Sequence, residues 1–426
     1  METNERKGKA TVMTKEKIIN THSISYFKSF DGIRGFCCLL ILILHYRFST
    51  YNMPAYIAYF GLHSFFIMSS YFITKTLLKD MERTTSMWQC MKVYCFKRFA
   101  RTFPLYFFYL FMLIPLFFIF RKVFKTDYGM LAEFKQYGAM LLTFTYNYRE
   151  TIQYVVDKKM TLHTIYTPHL WSMSFEEQFY VVFFFFLFFT PKQYLKPVGF
   201  FMLIAIPVLR VLGYLHMNKH TDDHELVTLI LSRNALFQID TFFYGILLAL
   251  ITVERRKLWI YLTIFFGVLF ISLMLYTSYL TSVSKNIPYY EALREDKYYY
   301  LNYGYAYLDT LANCFCVALF GAVIAYPDKI TIFTNKLLVK LGVLTYNLYI
   351  FQFIFLPFGL ILAKILQRKM PVFLAEFTGL IFYLVLLYYF SKLTYNRFEK
   401  PILEWKDRYI LKLYPPKPSV KTHAER

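Results

Sequence analysis

The sequence predicts an all-α polytopic helical bundle embedded in a membrane, and three observations carry that prediction. Hydrophobic residues make up 57% of the 426 and aromatic residues 21%, whereas charged residues reach only 18%. Soluble domains carry about 25% charged and about 45–50% apolar residues. Mean hydropathy is +0.37. Long apolar runs recur along the chain, with lysine and arginine gathered between many of them. This composition excludes a disordered chain or a collagen-like fibre and argues against an ordinary soluble enzyme.

A helix needs about 20 apolar residues to cross the hydrocarbon core. Suitable runs are Ile33 to Phe48, Pro54 to Leu78, Thr102 to Phe120, His169 to Phe189 and Leu195 to Leu215. They continue with Asn234 to Val253, Leu258 to Leu280, Tyr303 to Tyr326, Leu341 to Leu366 and Pro371 to Lys392. These runs predict about ten transmembrane helices. Residues 30–405 then form one transmembrane domain between tails at 1–29 and 406–426. Within it, the polar and aromatic stretch 121–168 reads as an outer segment. The loop Thr281 to Asn302 and the tail are too short for another folded domain. Met1 to Ser29 is too long and polar for a signal n-region, and no small-residue cleavage pattern follows. The first span is therefore expected to stay uncleaved.

The charge balance, 48 minus 27, is +21. Such a balance suits nucleic-acid binding or basic loops that orient a membrane protein. Its distribution favours the second reading. Basic residues collect before the first span, at Lys79 to Arg101, at Arg255 to Lys257, at Lys329 to Lys340 and beyond Arg397. The loop around Asp222, Asp223 and Glu225 is acidic. Both termini are thus expected in the cytoplasm, with no nucleic-acid partner. The basic residues within 121–168 disagree, but long translocated loops obey the rule poorly. Cys37, Cys38, Cys90, Cys95, Cys314 and Cys316 lack metal or disulfide spacing and read as reduced packing residues, with Cys90 and Cys95 in a basic loop. No metal site is expected.

Ionisable residues within spans are costly and mark functional candidates. Arg34 and His45 share the first span, 45 − 34 = 11 positions apart. That is about three turns and about 16 Å, so they share a face. The fourth span opens Trp171-Ser172-Met173-Ser174-Phe175-Glu176-Glu177-Gln178. Its carboxylates are expected at a depth comparable to His45, where one could orient or charge-stabilise an imidazole. Neighbouring glutamates point about 100° apart, so they cannot serve one group equally. Trp171 alone could be an interfacial anchor. Arg98 and Arg101, entering the third span, read either as orientation charges or as fork donors for phosphate.

These residues resemble motifs of the membrane acyltransferase 3 family. Phe30-Asp31-Gly32-Ile33-Arg34-Gly35 with His45 is similar to its opening motif. Phe65 to Thr74, Arg98 to Tyr106 and Trp171 to Tyr180 resemble its second, third and fourth motifs. Arg233 to Leu250 with Gln238, Asp240 and Gly245, then Leu344 to Phe351 and Arg397 to Pro401, resemble later segments. Ser70 stands where the family commonly has Gly, and Gln352 where many members have His. Gln352 is therefore given no catalytic role. The esterase-like domain that some members carry is not expected here.

The resemblance implies acyl transfer from cytoplasmic acyl-CoA, often acetyl-CoA, to a carbohydrate hydroxyl. Acyl-CoA is then the donor substrate, with no permanently bound cofactor. A carbohydrate or glycolipid acceptor and membrane lipids are the other partners. His45 is expected as general base or acyl carrier, with Glu176 or Glu177 behind it. Arg34, Arg98 and Arg101 would face the donor, with Asp31, Trp171, Ser174, Arg233 and Asp240 in support. A bacterial inner membrane is the expected location. The alternative is a secondary transporter or flippase for a glycolipid or anionic solute, although paired broken helices are not visible.

Overall fold

The computed structural model describes residues 28–413, except 47, 49–54, 84–85, 124, 126–128, 157–163, 252, 254–255, 295–297, 299–300, 303 and 327–329. The stretches 1–27 and 414–426 lie outside the described residues. So do Arg255 and Lys329, counted above among the flanking charges.

The apolar runs are helical. α1 covers Lys28–Tyr46, α2 Ala55–Arg83, α3 Met87–Val123, α4 Met130–Leu142, α5 Arg149–Val156 and α6 Leu170–Phe189. α7 covers Lys192–Met217, α8 His224–Arg233, α9 Ala235–Gln238, α10 Asp240–Leu250, α11 Arg256–Lys285 and α12 Tyr289–Arg294. α13 covers Gly304–Ala325, α14 Lys336–Leu366, α15 Val372–Thr394 and α16 Lys400–Leu413. Eight helices among the described residues are long and apolar enough to cross a membrane. With every long apolar run helical, the chain is a polytopic integral membrane bundle.

Boundaries differ from expectation where side chains or packing intervene. The third run begins at Met87 rather than Thr102, so Cys90 and Cys95 lie on a helix and not in a loop. No Gly or Pro interrupts Met87 to Arg101, and Phe96 packs against Trp405 and Tyr409 at ring distances of 5.3 and 4.8 Å. That contact also explains why α16 carries helix into residues 406–413, read above as tail. The sixth run holds α9 and α10, which part at Ile239, and it is set off from α8 at Asn234. Asn234 is extended and its side chain accepts from Leu236 N–H, which starts a new helix.

The stretch 121–168 is not a simple outer loop. Tyr106 on α3 donates to Leu141 O at 2.8 Å, and Gln178 on α6 donates to Phe144 O at 2.7 Å. Tyr106 lies 123 − 106 = 17 residues before the end of α3. At 1.5 Å per residue, the chain after α4 reaches about 25 Å back along that helix. The two side-chain donors satisfy carbonyls where the backbone leaves the helix. Irregular backbone at such depth requires protein partners of this kind. Glu133, Tyr146, Arg149 and Glu150 hold the segment together. Arg149 pairs with Glu133 at 3.2 Å and Glu150 at 2.9 Å, while Tyr146 donates to Glu133.

α1 packs most extensively against α14. A Cβ added at Gly342 would lie 1.8 Å from Asp31 O, and one at Gly35 would lie 2.0 Å from Leu338 O. Backbone touches backbone at both points, so neither neighbour can swing aside. Gly342→Ala is expected to destabilise the protein by about 1–3 kcal/mol. Thermal unfolding in detergent would read this, and an unchanged transition would contradict the close approach.

Another contact meets a departure noted in the sequence. Ser70 donates to Ile67 O at 3.0 Å, and a Cβ at Gly245 would lie 2.0 Å from Ser70 Oγ. Gly245 on α10 makes the room that the hydroxyl uses.

A buried ionic network ties α2, α7, α10 and α13. Arg210 donates from Nη2 to both Asp240 oxygens at 2.9 and 3.1 Å, and its Nε lies 3.3 Å from Asp309. Asp309 is also 3.4 Å from His63 Nε2 and accepts from Gln238 at 2.8 Å. Asp240 is thus a supporting residue held by Arg210.

Candidate active site

His45 sits in the last turn of α1. Its Nδ1 is 2.7 Å from Gln352 Oε1 on α14. Gln352 Nε2 donates to Tyr349 O at 2.9 Å, which settles which way the amide faces. An amide oxygen only accepts, so His45 Nδ1 carries the proton and the lone pair of neutral imidazole falls on Nε2. The ring packs against Phe353 at 5.0 Å.

The same layer holds the start of α6. The His169 ring also lies 4.9 Å from the Phe353 ring, and His169 donates from Nε2 to Ile350 O at 3.0 Å. Ser172 and Tyr349 join hydroxyls at 2.6 Å, and Tyr349 donates to His169 O at 2.9 Å. Trp171 is buried beneath Arg233, whose guanidinium stands 5.4 Å from its ring. Arg233 also binds Glu150 at 2.5 Å, which joins α5 to the mouth of this layer. Trp171 is therefore a packing platform for a cation and not an interfacial anchor.

Glu176 and Glu177 lie along α6 beyond the residues that meet the His45 layer. α6 begins at the His45 layer, and Glu176 follows Ser172 by one turn, about 6 Å. It accepts from Ser69 at 2.6 Å and from Tyr180. Gln352, not a glutamate, occupies Nδ1 of His45. Glu177 is buried, and its Oε1 has no hydrogen-bond partner among the described residues. Ser174 bonds back to Leu170 O at 3.2 Å, as a serine inside a helix commonly does.

The deeper layer gathers the predicted cations. Arg34 pairs with Asp31 at 3.1 Å and lies 5.2 Å from the Phe72 ring. Arg98 lies 5.2 Å from the Tyr180 ring, and its buried Nε has no hydrogen-bond partner among the described residues. Arg101 stands close enough to Arg34 for their charges to interact. Along α6 the His169 and Ser172 group near His45 is followed one turn later by Glu176, which binds Ser69 and Tyr180, and the Tyr180 ring meets Arg98. This arrangement can place a proton acceptor at one end and anion donors at the other.

Sequence reasoning left Gln352 without a role and passed over His169, His63, Arg210 and Asp309. The signal that selected Arg34 and His45, an ionisable residue inside an apolar run, also marks His63, Arg210 and Asp309. His169 precedes Trp171 by two residues. No sequence rule shows that Gln352 meets a histidine 307 positions away.

The family model described as an acyltransferase domain, acyltransferase 3, matches residues 27–398. The chain is 23% identical over 208 residues to proteins described as O-acetyltransferase OatA from Staphylococcus aureus strains NCTC 8325 / PS 47 and COL. That alignment covers 47% of this chain and 32% of each relative, so the matched stretch spans about a third of their length. No solved structure matches the chain significantly. The family match spans the layers of the site from Asp31 to Gln352, and the chain belongs to the acyltransferase 3 family of integral membrane acyltransferases.

Proposed function

We propose that this chain is a membrane O-acyltransferase that moves an acetyl group from acetyl-CoA to a hydroxyl of a cell-envelope carbohydrate. The observation that carries the reading is the His45–Gln352 bond, which places the imidazole lone pair on Nε2. Nε2 takes the proton from the acceptor hydroxyl as its oxygen attacks the thioester carbonyl. The C–S bond breaks, and the thiolate leaves with the proton returned by the imidazolium. Arg98, Arg101 and Arg34 hold the phosphates of the donor, which matches a guanidinium's fork of donors. With both termini in the cytoplasm, that cluster faces the acyl-CoA pool of a bacterial inner membrane. Glu176 and Glu177 sit between donor and base; Glu176 orders Ser69 and Tyr180 there.

The test is product formation. Purified protein in lipid nanodiscs receives acetyl-CoA labelled in the acetyl group and a glycan mixture. The reading expects an alkali-labile acetyl ester on glycan. A glycolipid transporter or flippase would form no ester and would move its cargo across vesicles without donor.

Gln352 is a positioning residue in this scheme. Gln352→Leu removes the acceptor of the Nδ1 proton at similar volume. Its expected effect is a fall in kcat of about 10²-fold with KM nearly unchanged. Gln352→His restores an acceptor nitrogen and should recover much of the rate. Equal losses in both variants would point to packing alone.

A further inference from the structure

The amphipathic helix α16 brings a further cation to the arginine cluster. It follows a π-helical turn, Tyr395–Glu399, that re-aims the chain at the end of α15. Within that turn Glu399 is buried and accepts from Asn347. Trp405 and Tyr409 then dock on Phe96 of α3, half a turn from Arg98. This docking turns Lys406 inward. Its side chain is only 17% exposed, and its Nζ pairs at 3.2 Å with Asp407, whose side chain is 68% exposed and so solvent-screened.

Lys406 stands close enough to Arg98 and Arg101 for its charge to interact with both. Glu399 faces Arg101 and Lys406 as well. Its carboxylate is tied to Asn347, and Asp31 is tied to Arg34. Among the described residues, neither Arg98 nor Arg101 has a carboxylate within ion-pair distance. Arg98 and Arg101 on α3 and Lys406 on α16 are like charges drawn together, the exposed Asp407 offsets them only weakly, and a bound polyanion relieves the remaining repulsion. The π turn and the aromatic dock expend packing to hold Lys406 there, more than a surface lysine needs.

We infer that Lys406 is a substrate-binding residue that completes, with Arg98 and Arg101, a site for a phosphate group of the nucleotide donor. The inference rests on the donor reading above and deepens it. Lys406 supplies a point charge that can follow a phosphate, while the arginines supply directed forks. A lipid phosphate has the same chemistry, so the test separates the two sources.

The full chain is placed in nanodiscs of zwitterionic lipid alone and in nanodiscs containing anionic lipid. Acetyl-CoA affinity and steady-state kinetics are measured for wild type, Lys406→Ala, Lys406→Arg and, as a control on the same helix, Lys412→Ala. The expected result is a rise of about tenfold to hundredfold in Kd and KM for acetyl-CoA with Lys406→Ala, at unchanged kcat and in both lipids. Lys406→Arg should stay near wild type, and Lys412→Ala should change little. Wild-type acetyl-CoA binding that is insensitive to Lys406→Ala would overturn the inference and leave the donor reading intact. An effect confined to anionic nanodiscs would assign the phosphate to lipid and likewise overturn it. A wild type that binds no acetyl-CoA in either lipid would overturn the donor reading and this inference with it.

Discussion

His45→Ala is expected to insert and fold like wild type and to lose acyl transfer by at least 10²-fold, up to about 10⁴-fold. Truncation removes the group on which the tautomer argument places the lone pair, so the acceptor hydroxyl meets no base. The fold should tolerate it. His45 is in the last turn of α1, after the close approaches of Gly35 and Gly342 that set the α1–α14 crossing. The measurement is label transfer per mole of protein, with monodispersity and thermal unfolding recorded beside it. Lost activity with lost folding would be uninformative about base catalysis, so His45→Gln serves as the second variant. It keeps a polar side chain of similar reach and should be as inactive as His45→Ala. Substantial activity in either variant would remove His45 from the chemistry.

The largest expected loss of stability is at Arg210. Arg210→Ala leaves Asp240 and Asp309 buried together with their shared cation gone. Breaking a buried ion pair by removing one partner costs about 3–5 kcal/mol. Here one guanidinium faces carboxylates on α10 and α13, so the cost should fall at or above the upper end of that range. Activity should fall too, because α2 carries both His63 of this network and Ser69, the partner of Glu176. A triple replacement of Arg210, Asp240 and Asp309 by apolar residues of similar volume should recover much of the stability. Unfolding transitions for the single and triple variants test this. Wild-type stability in Arg210→Ala would contradict the network's role as the tie between these helices.

How much of this was legible in the sequence depended on the range of the interaction. Span positions follow from local hydropathy, and Ile33 to Phe48 or Leu341 to Leu366 needed nothing more. Cost-based reasoning found Arg34, His45, Glu176 and Glu177, because a charge in an apolar run stands out without a partner being known. It could have found Arg210 and Asp309 by the same rule. Depth was harder. The depth of Glu176 depends on where α6 enters, and hydropathy does not give that to within a turn. The inward path of Leu141 to Asn147 was hidden because the signals that hold it, Tyr106 and Gln178, act through backbone carbonyls of any residue type. Gln352 reads as an ordinary polar residue until α14 is laid along α1. Lys406 reads as one more flanking charge until Trp405 and Tyr409 are seen to dock on Phe96.

The central claim is donor-dependent acyl transfer with His45 as the base. It is tested most directly by the release of free coenzyme A thiol from acetyl-CoA, with wild type and His45→Ala side by side in nanodiscs with a glycan mixture. The account predicts sustained thiol release by wild type in proportion to glycan acetylation, and release at the protein-free rate by His45→Ala. Equal release by the two proteins, or acetyl-CoA bound by wild type but never cleaved while an ester acceptor is present, would contradict it.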